Sequence, residues 1–240
     1  MRRTVDEQLS DLTNRLNAAF ADQLVSAILY GSAVVGDWDE HSSDLNVLCV
    51  LNRLSPQELA KSEPIFRWWR SNGNPPPLLL TEEEVRTSTD CFPMEFHDMK
   101  DQRRVLCGVD VIQDLEIDRC FYRAQVEHEL RAKQIRLRQR AAELLSTSQA
   151  LLKLLTESVS TFCVLGRHAL ILSGGEPCWK KNEILSALEP ALKMRLAGAS
   201  AILALRTEGK PSARADAVSL LEKYLMEVDA LVRFVDTLDR

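Results

Sequence analysis

The sequence predicts an α+β chain in two parts: a sheet with flanking helices over residues 1–117, then an all-α helical bundle over residues 118–240. Short runs rich in Val, Ile and Leu, punctuated by Gly, Pro and Asn, recur as far as about Cys107. After about Asp118 these runs cease, and long segments rich in Leu, Ala, Glu, Arg and Lys with helical periodicity take over. A chain of 240 residues is long enough for each part to bury a core of its own.

Val5, Leu9, Leu12, Leu16 and Phe20 recur about one turn apart, so Thr4 to Phe20 reads as an amphipathic helix. Leu24 to Tyr30, stopped by Gly31, reads as a buried strand. Ser43 to Leu51 reads as a second, with Leu45, Val47, Cys49 and Leu51 on one face and Asp44 and Asn46 on the other. Ser55-Pro56-Gln57-Glu58 is a capping box that starts a helix running to about Arg70. A turn follows at Asn72 to Pro77, then a strand at Leu78 to Leu80 and another helix start at Thr81. Pro93 to His97 reads as a strand with Met94 and Phe96 on one side and Glu95 on the other, and Arg104 to Cys107 as an edge strand.

In the second half, helices are expected at Asp118 to Leu145, Ser148 to Leu172, Lys181 to Leu188, Ala191 to Arg206 and Ser212 to Leu238. The breaks are expected at Ser146-Thr147, Gly174-Gly175, Pro190 and Gly209-Lys210-Pro211. Ser148 to Leu172 is apolar on most faces, as the central helix of a bundle should be, and His168 within it reads as a core residue.

The formal net charge of −5 argues against a general nucleic-acid surface or an anionic-membrane surface. No apolar run is long enough to span a bilayer, and Met1 to Leu12 has no signal-peptide core, so no membrane role is expected and the location reads as cytoplasmic. Six singly placed cysteines show no metal-ligand spacing, which predicts reduced, mostly buried thiols. Trp68, Trp69 and Trp179 read as packed residues.

Three features of the first half carry chemistry. Leu29-Tyr30-Gly31-Ser32-Ala33 ends a strand on a glycine and a small hydroxyl residue. In such a turn the backbone can approach a phosphate, and the following N–H groups and the hydroxyl can donate to it. Ser43-Asp44-Leu45-Asn46-Val47-Leu48 then places Asp44 and Asn46 on the same side of the next strand.

This order of Gly31-Ser32, Asp44 and Asn46 resembles the DNA polymerase beta-like nucleotidyltransferase superfamily, in the form of the antibiotic (kanamycin) nucleotidyltransferase-like proteins with a C-terminal helical domain. The resemblance implies a nucleotidyltransferase-like mixed sheet. It also implies transfer of a nucleoside monophosphate from a magnesium-bound nucleoside triphosphate to a hydroxyl of a small molecule or a protein. Gly31 and Ser32 match the phosphate-binding turn, Asp44 the first metal carboxylate, and Asn46 stands where the second belongs. A third acid is expected on a later strand, and Glu95 fits best, as a metal ligand or as the base that takes the hydroxyl proton.

Asn46 leaves the outcome open. An amide oxygen brings no charge and bridges two magnesium ions poorly, so the second metal site is in doubt. A weakened or single-metal enzyme, a nucleotide-binding or regulatory module without turnover, and a structural relic are all compatible with the residues. Asp37, Asp39 and Glu40 read as a solvated acidic loop, and Asp98 as a weaker substitute for Glu95. In the helical half, Lys133, Arg136 and Arg140 share a helix face. The resemblance implies that Lys133 or Arg136 reaches the triphosphate; a solvated charged face, with Glu129 and Glu143 nearby, is the stronger explanation. A homodimer is compatible with all of these readings.

Overall fold

The computed structural model describes residues 4–34, 45–208 and 216–238. The chain divides into two compact units, Met1–Arg119 and Cys120–Arg240.

The first unit is built on a four-stranded mixed sheet of β1 (Leu24–Tyr30), β2 (Asn46–Leu51), β3 (Leu78–Thr81) and β4 (Arg103–Gly108). The order is β3-β2-β1-β4, with β1 antiparallel to β2 and β4, and β2 parallel to β3. Alternation gives the sheet two buried faces. Ala27, Leu29, Leu45, Val47, Cys49 and Leu51 join a core with α1 (Val5–Phe20) and α2 (Pro56–Ser71). Ile28, Leu48 and Val50 pack on the other face against Val85 of α3 (Glu82–Thr87) and Phe96 and Met99 of α4 (Pro93–Asp101), with Ile112 and Leu115 completing that layer.

The helix starts are set locally. Thr4, Ser55 and Thr81 each accept from the first turn of their helix while Glu7, Glu58 and Glu84 reach back, giving three capping boxes. Pro93–Asp101 is a helix, not a strand. Its first five residues alternate in polarity and fit either period, but Met94, Phe96 and Met99 are all buried, Phe96 and Met99 against one sheet face, and Pro93 supplies a preset φ at the first helical position.

In the second unit, α6 (Ser148–Leu172) contacts α5 (Tyr122–Leu144), α7 (Lys181–Leu192), α8 (Ala197–Glu208) and α9 (Ala217–Thr237). Its buried residues cover most of its circumference, with Lys153, Glu157, Thr161 and Val164 at helical spacing forming the exposed stripe. His168 is 1% exposed, with Nδ1 2.7 Å from the Tyr122 hydroxyl. Helix α5 begins at Tyr122 rather than Asp118, and α8 at Ala197 rather than Ala191. Pro190 does not end α7, which continues through it to Leu192. The stop comes instead at Lys193 in the left-handed conformation, φ 53°, where the Lys193 and Met194 N–H groups donate back to Pro190 and Glu189. Gly209-Lys210-Pro211 lies outside the described residues.

Cys49 and Cys163 are buried, Cys107 and Cys178 half-buried, and Cys91 and Cys120 exposed, so the six free thiols are less sheltered than their scattering suggests. Trp69 is fully buried, Trp68 lies under the Arg15 guanidinium, and Trp179 under that of Arg167. Among the described residues no helix is long and apolar enough to cross a membrane.

Candidate functional site

The end of β1 is where the chemistry-bearing residues of the first unit meet. Tyr30, its last residue, is paired with Asn46 on one side and Arg103 on the other. Directly opposed residues on antiparallel strands point the same way, so Tyr30 and Asn46 share the sheet face covered by α4. Gly31 follows with φ 83°, which turns the chain off the strand. The Asn46 amide lies over it: a Cβ at Gly31 would sit 3.6 Å from Nδ2.

The turn's donors are only partly available. The Gly31 N–H donates to the Gln102 carbonyl at 3.2 Å, and the Val34 N–H donates to the Gly31 carbonyl at 3.0 Å. Among the described residues the Ser32 and Ala33 N–H groups have no backbone acceptor. The Gly31–Gln102 bond also ties the turn to the end of α4, a link between distant parts of the chain that no local pattern announces.

Gly31→Ala isolates the backbone contribution, because its Cβ would meet Asn46 at an ordinary van der Waals distance. Holding alanine in the left-handed region should cost about 1–2 kcal/mol, read as a lower urea midpoint with an unchanged slope.

Helix α4 brings acid to this end of the sheet. Burial, then the Glu95 carboxylate and then that of Asp98, push the Tyr30 phenol up to about 12. Glu95 and Asp98 are three residues apart and so lie on one side of the helix, and one Glu95 oxygen is shielded from solvent. Tyr30 and Asp98 are the residues whose importance sequence reasoning undervalues. The signal for Tyr30 is its place immediately before Gly31, and that for Asp98 is its helical spacing from Glu95. His97, on another side of the helix, is held below the usual imidazole range by burial and then by Arg119 and Lys100, which favours its neutral form.

Asp44 lies outside the described residues, as do Asp37, Asp39 and Glu40. Glu95 approaches from a helix, and neither β3 (Leu78-Leu79-Leu80-Thr81) nor β4 (Arg103-Arg104-Val105-Leu106-Cys107-Gly108) carries an acid. The third carboxylate expected on a later strand is therefore not there. Among the described residues no three His, Cys, Asp or Glu side chains converge as metal ligands. Among the described residues the Asn46 amide brings no charge and the acids at this end of the sheet come from α4, while Asp44, the expected first metal carboxylate, lies outside them.

Lys133 and Arg136 lie on α5 in the second unit, Lys133 half-exposed and Arg136 exposed. Lys133 Nζ is 3.6 Å from Glu129, and both cations border a groove together with Arg140.

No family model and no curated protein matches the sequence. Among solved structures, the chain is similar to spectinomycin adenyltransferase AAD(9) from Enterococcus faecialis, whose crystal structure was determined with ATP and spectinomycin. The TM-score is 0.64 at 15% identity, over 98% of this chain and 100% of that one. At that identity the likeness establishes a shared fold and no more.

Proposed function

Proceeding from the nucleotidyltransferase fold, we propose that this protein binds a nucleoside triphosphate at the Gly31-Ser32 turn and that its ability to transfer the nucleoside monophosphate is impaired. The observation that carries this reading is the Asn46 amide over Gly31. The cradle for a phosphate is present in Gly31, Ser32 and Ala33, while the position beside it that should carry negative charge is neutral. The absence of acid from β3 and β4 points the same way. Phosphate binding needs donors, which the turn supplies; metal-assisted displacement at the α-phosphate needs charge, which Asn46 does not supply.

Transfer to a hydroxyl of a small molecule or a protein is the second reading, favoured by the carboxylates of Glu95 and Asp98 close to Tyr30. In that reading Asp44 holds a single magnesium ion and Glu95 takes the hydroxyl proton.

One experiment separates the two. ATP and GTP are titrated calorimetrically with and without magnesium, and pyrophosphate release is followed in parallel. The proposal expects binding that is indifferent to magnesium and no release above background. Asn46→Asp should make binding magnesium-dependent, tighter by about tenfold, the equivalent of one added charge contact. Release by the wild type that disappears in Asp44→Ala would establish the second reading. Absence of nucleotide binding in both proteins would sink both.

A further inference from the structure

The sequence contains a single Asn-Gly pair, Asn72-Gly73, at the end of α2. Every other asparagine is followed by Arg, Ala, Val or Glu, whose side chains crowd the next backbone nitrogen, or by Pro, which has no N–H there. Both residues of the pair are exposed. Gly73 has a left-handed φ of 90°, and a Cβ built there would meet nothing within 4 Å. No neighbouring group restrains this peptide once the turn loosens.

While the turn is closed, it occupies both groups that could react. The Gly73 N–H donates to the Arg70 carbonyl at 2.9 Å, and the Asn72 N–H to that of Trp69 at 3.2 Å. The Asn72 Nδ2 donates to the Trp68 carbonyl at 2.8 Å, which also accepts from the Ser71 hydroxyl at 2.7 Å. The nucleophile and the leaving group are thus held by the last carbonyls of a helix, the part of a helix that opens most readily.

From these contacts we infer that Asn72-Gly73 is a site of spontaneous deamidation gated by the last turn of α2. When the turn opens, the Gly73 nitrogen gives its proton to hydroxide and attacks Asn72 Cγ. The N–Cγ bond forms, the Cγ–Nδ2 bond breaks and ammonia leaves, giving a succinimide. Water then adds to one of the two ring carbonyls and breaks its bond to nitrogen. Opening on one side gives aspartate with the ordinary backbone; opening on the other gives isoaspartate, whose backbone runs through the former side chain. Either product sets a carboxylate against the Trp68 carbonyl in place of a donor, at the helix end that disfavours negative charge. Isoaspartate also lengthens the backbone by one carbon, which displaces the Gly73 N–H from Arg70. Trp69, in the same turn, is buried in the core that α2 shares with α1 and the sheet, so the damage weakens the first unit. This chemistry is independent of any nucleotide at Gly31.

The test incubates the protein in mildly alkaline buffer, folded and in parallel in urea at the same pH, and follows the mass and isoaspartate content of each asparagine-bearing peptide. Conversion at Asn72 ahead of every other asparagine is the expected result. It should run at least about tenfold slower in the folded protein than in urea, a modest opening equilibrium for a helix end. Ser71→Gly removes a hydroxyl from the Trp68 carbonyl and weakens the last turn. It should speed conversion of the folded protein at least about threefold and leave the rate in urea unchanged, a glycine near a helix end costing about that factor. The converted protein, richer by one negative charge and separable by anion exchange, should unfold at a lower urea midpoint. Conversion of the folded protein no faster at Asn72 than at the exposed Asn14 and Asn52 overturns the site. Equal rates folded and in urea, or a folded Ser71→Gly that converts no faster than the wild type, overturn the gate.

Discussion

Gly108→Ala is expected to destabilise the first unit by about 3–5 kcal/mol, a large fraction of the roughly 5–15 kcal/mol that holds an ordinary domain together. Gly108 closes β4 at φ 78°, a conformation that costs an L-residue about 1–2 kcal/mol. The steric clash costs more than the backbone conformation. A Cβ there would lie 2.0 Å from the Val25 carbonyl oxygen and 2.9 Å from the Ser26 Cα, both backbone atoms that cannot rotate away. Relief requires the two strands to part where Ser26 pairs with Gly108 and where the Val109 N–H donates to Val25 at 3.1 Å. The chain just beyond carries Ile112 and Leu115 into the layer over Leu48 and Val50, so the displacement propagates into a packed core. Urea denaturation followed by the near-ultraviolet signal, to which the packed Trp68–Trp69 pair of that unit contributes, reports the loss. A shift below about 1 kcal/mol would show that β4 frays at its end and leaves Ile112 and Leu115 in place.

Glu227→Ala should be the corresponding lesion in the helical unit, at about 3–4 kcal/mol. Glu227 of α9 is 5% exposed and accepts from the Gly198 and Ala199 N–H groups, both at 2.7 Å, at the start of α8. It thereby caps a helix that is far away in sequence, where the favourable end of the helix dipole also lies. Truncation leaves two buried donors without acceptors, each costing about 1–3 kcal/mol, and opens a cavity in addition. The neighbouring glycine is part of the device, since a Cβ at Gly198 would sit 3.0 Å from both the Glu227 carboxylate and the Tyr224 nitrogen.

The same carboxyl sets a pH dependence. Burial raises it above the ordinary value of 4.5; the Gly198 and Ala199 N–H groups oppose that rise, as does Lys223, and Glu189 adds to it. A group raised on folding holds its proton more tightly in the native state than in the unfolded chain. Its contribution is therefore fully present below pH 4.5 and is lost as pH rises through the raised value. Glu227→Gln does not titrate, so the stability of the wild type relative to this variant should fall as pH is raised from 4.5 and then level off. Paired urea melts across that range check the sign; a difference that grows with pH would refute it.

Local chemistry makes much of the architecture legible. The Val-, Ile- and Leu-rich run at Leu24–Tyr30 ends on a glycine in the left-handed conformation that glycine favours, and Ser55-Pro56-Gln57-Glu58 carries its own cap and first turn. Both signals are complete within a few residues, so tertiary contacts have nothing to overrule. Pro93–Asp101 reads wrongly as a strand because five residues alternate equally well on a strand or on a short helix, and Phe92 offers no side-chain cap to decide between them. Pro190 reads wrongly as a break because a proline usually is one. Here it sits in the last turn of α7, where the left-handed Lys193 ends the helix three residues later.

At the candidate site the same division holds. By itself the sequence determined the two-part α+β plan and the Gly31-Ser32 turn, because each is written within one element and its neighbours. Only the tertiary structure decided that Gln102 takes the Gly31 N–H, that Glu95 and Asp98 come to Tyr30 from a helix, and that the later strands bring no acid. It likewise decided that Lys133, Arg136 and Arg140 border a groove rather than a flat solvated face, and that Glu227 caps α8. The physical reason is separation along the chain. Periodicity and capping act over one to four residues, whereas a charge set or a groove is assembled by packing between elements tens of residues apart, which no local pattern encodes.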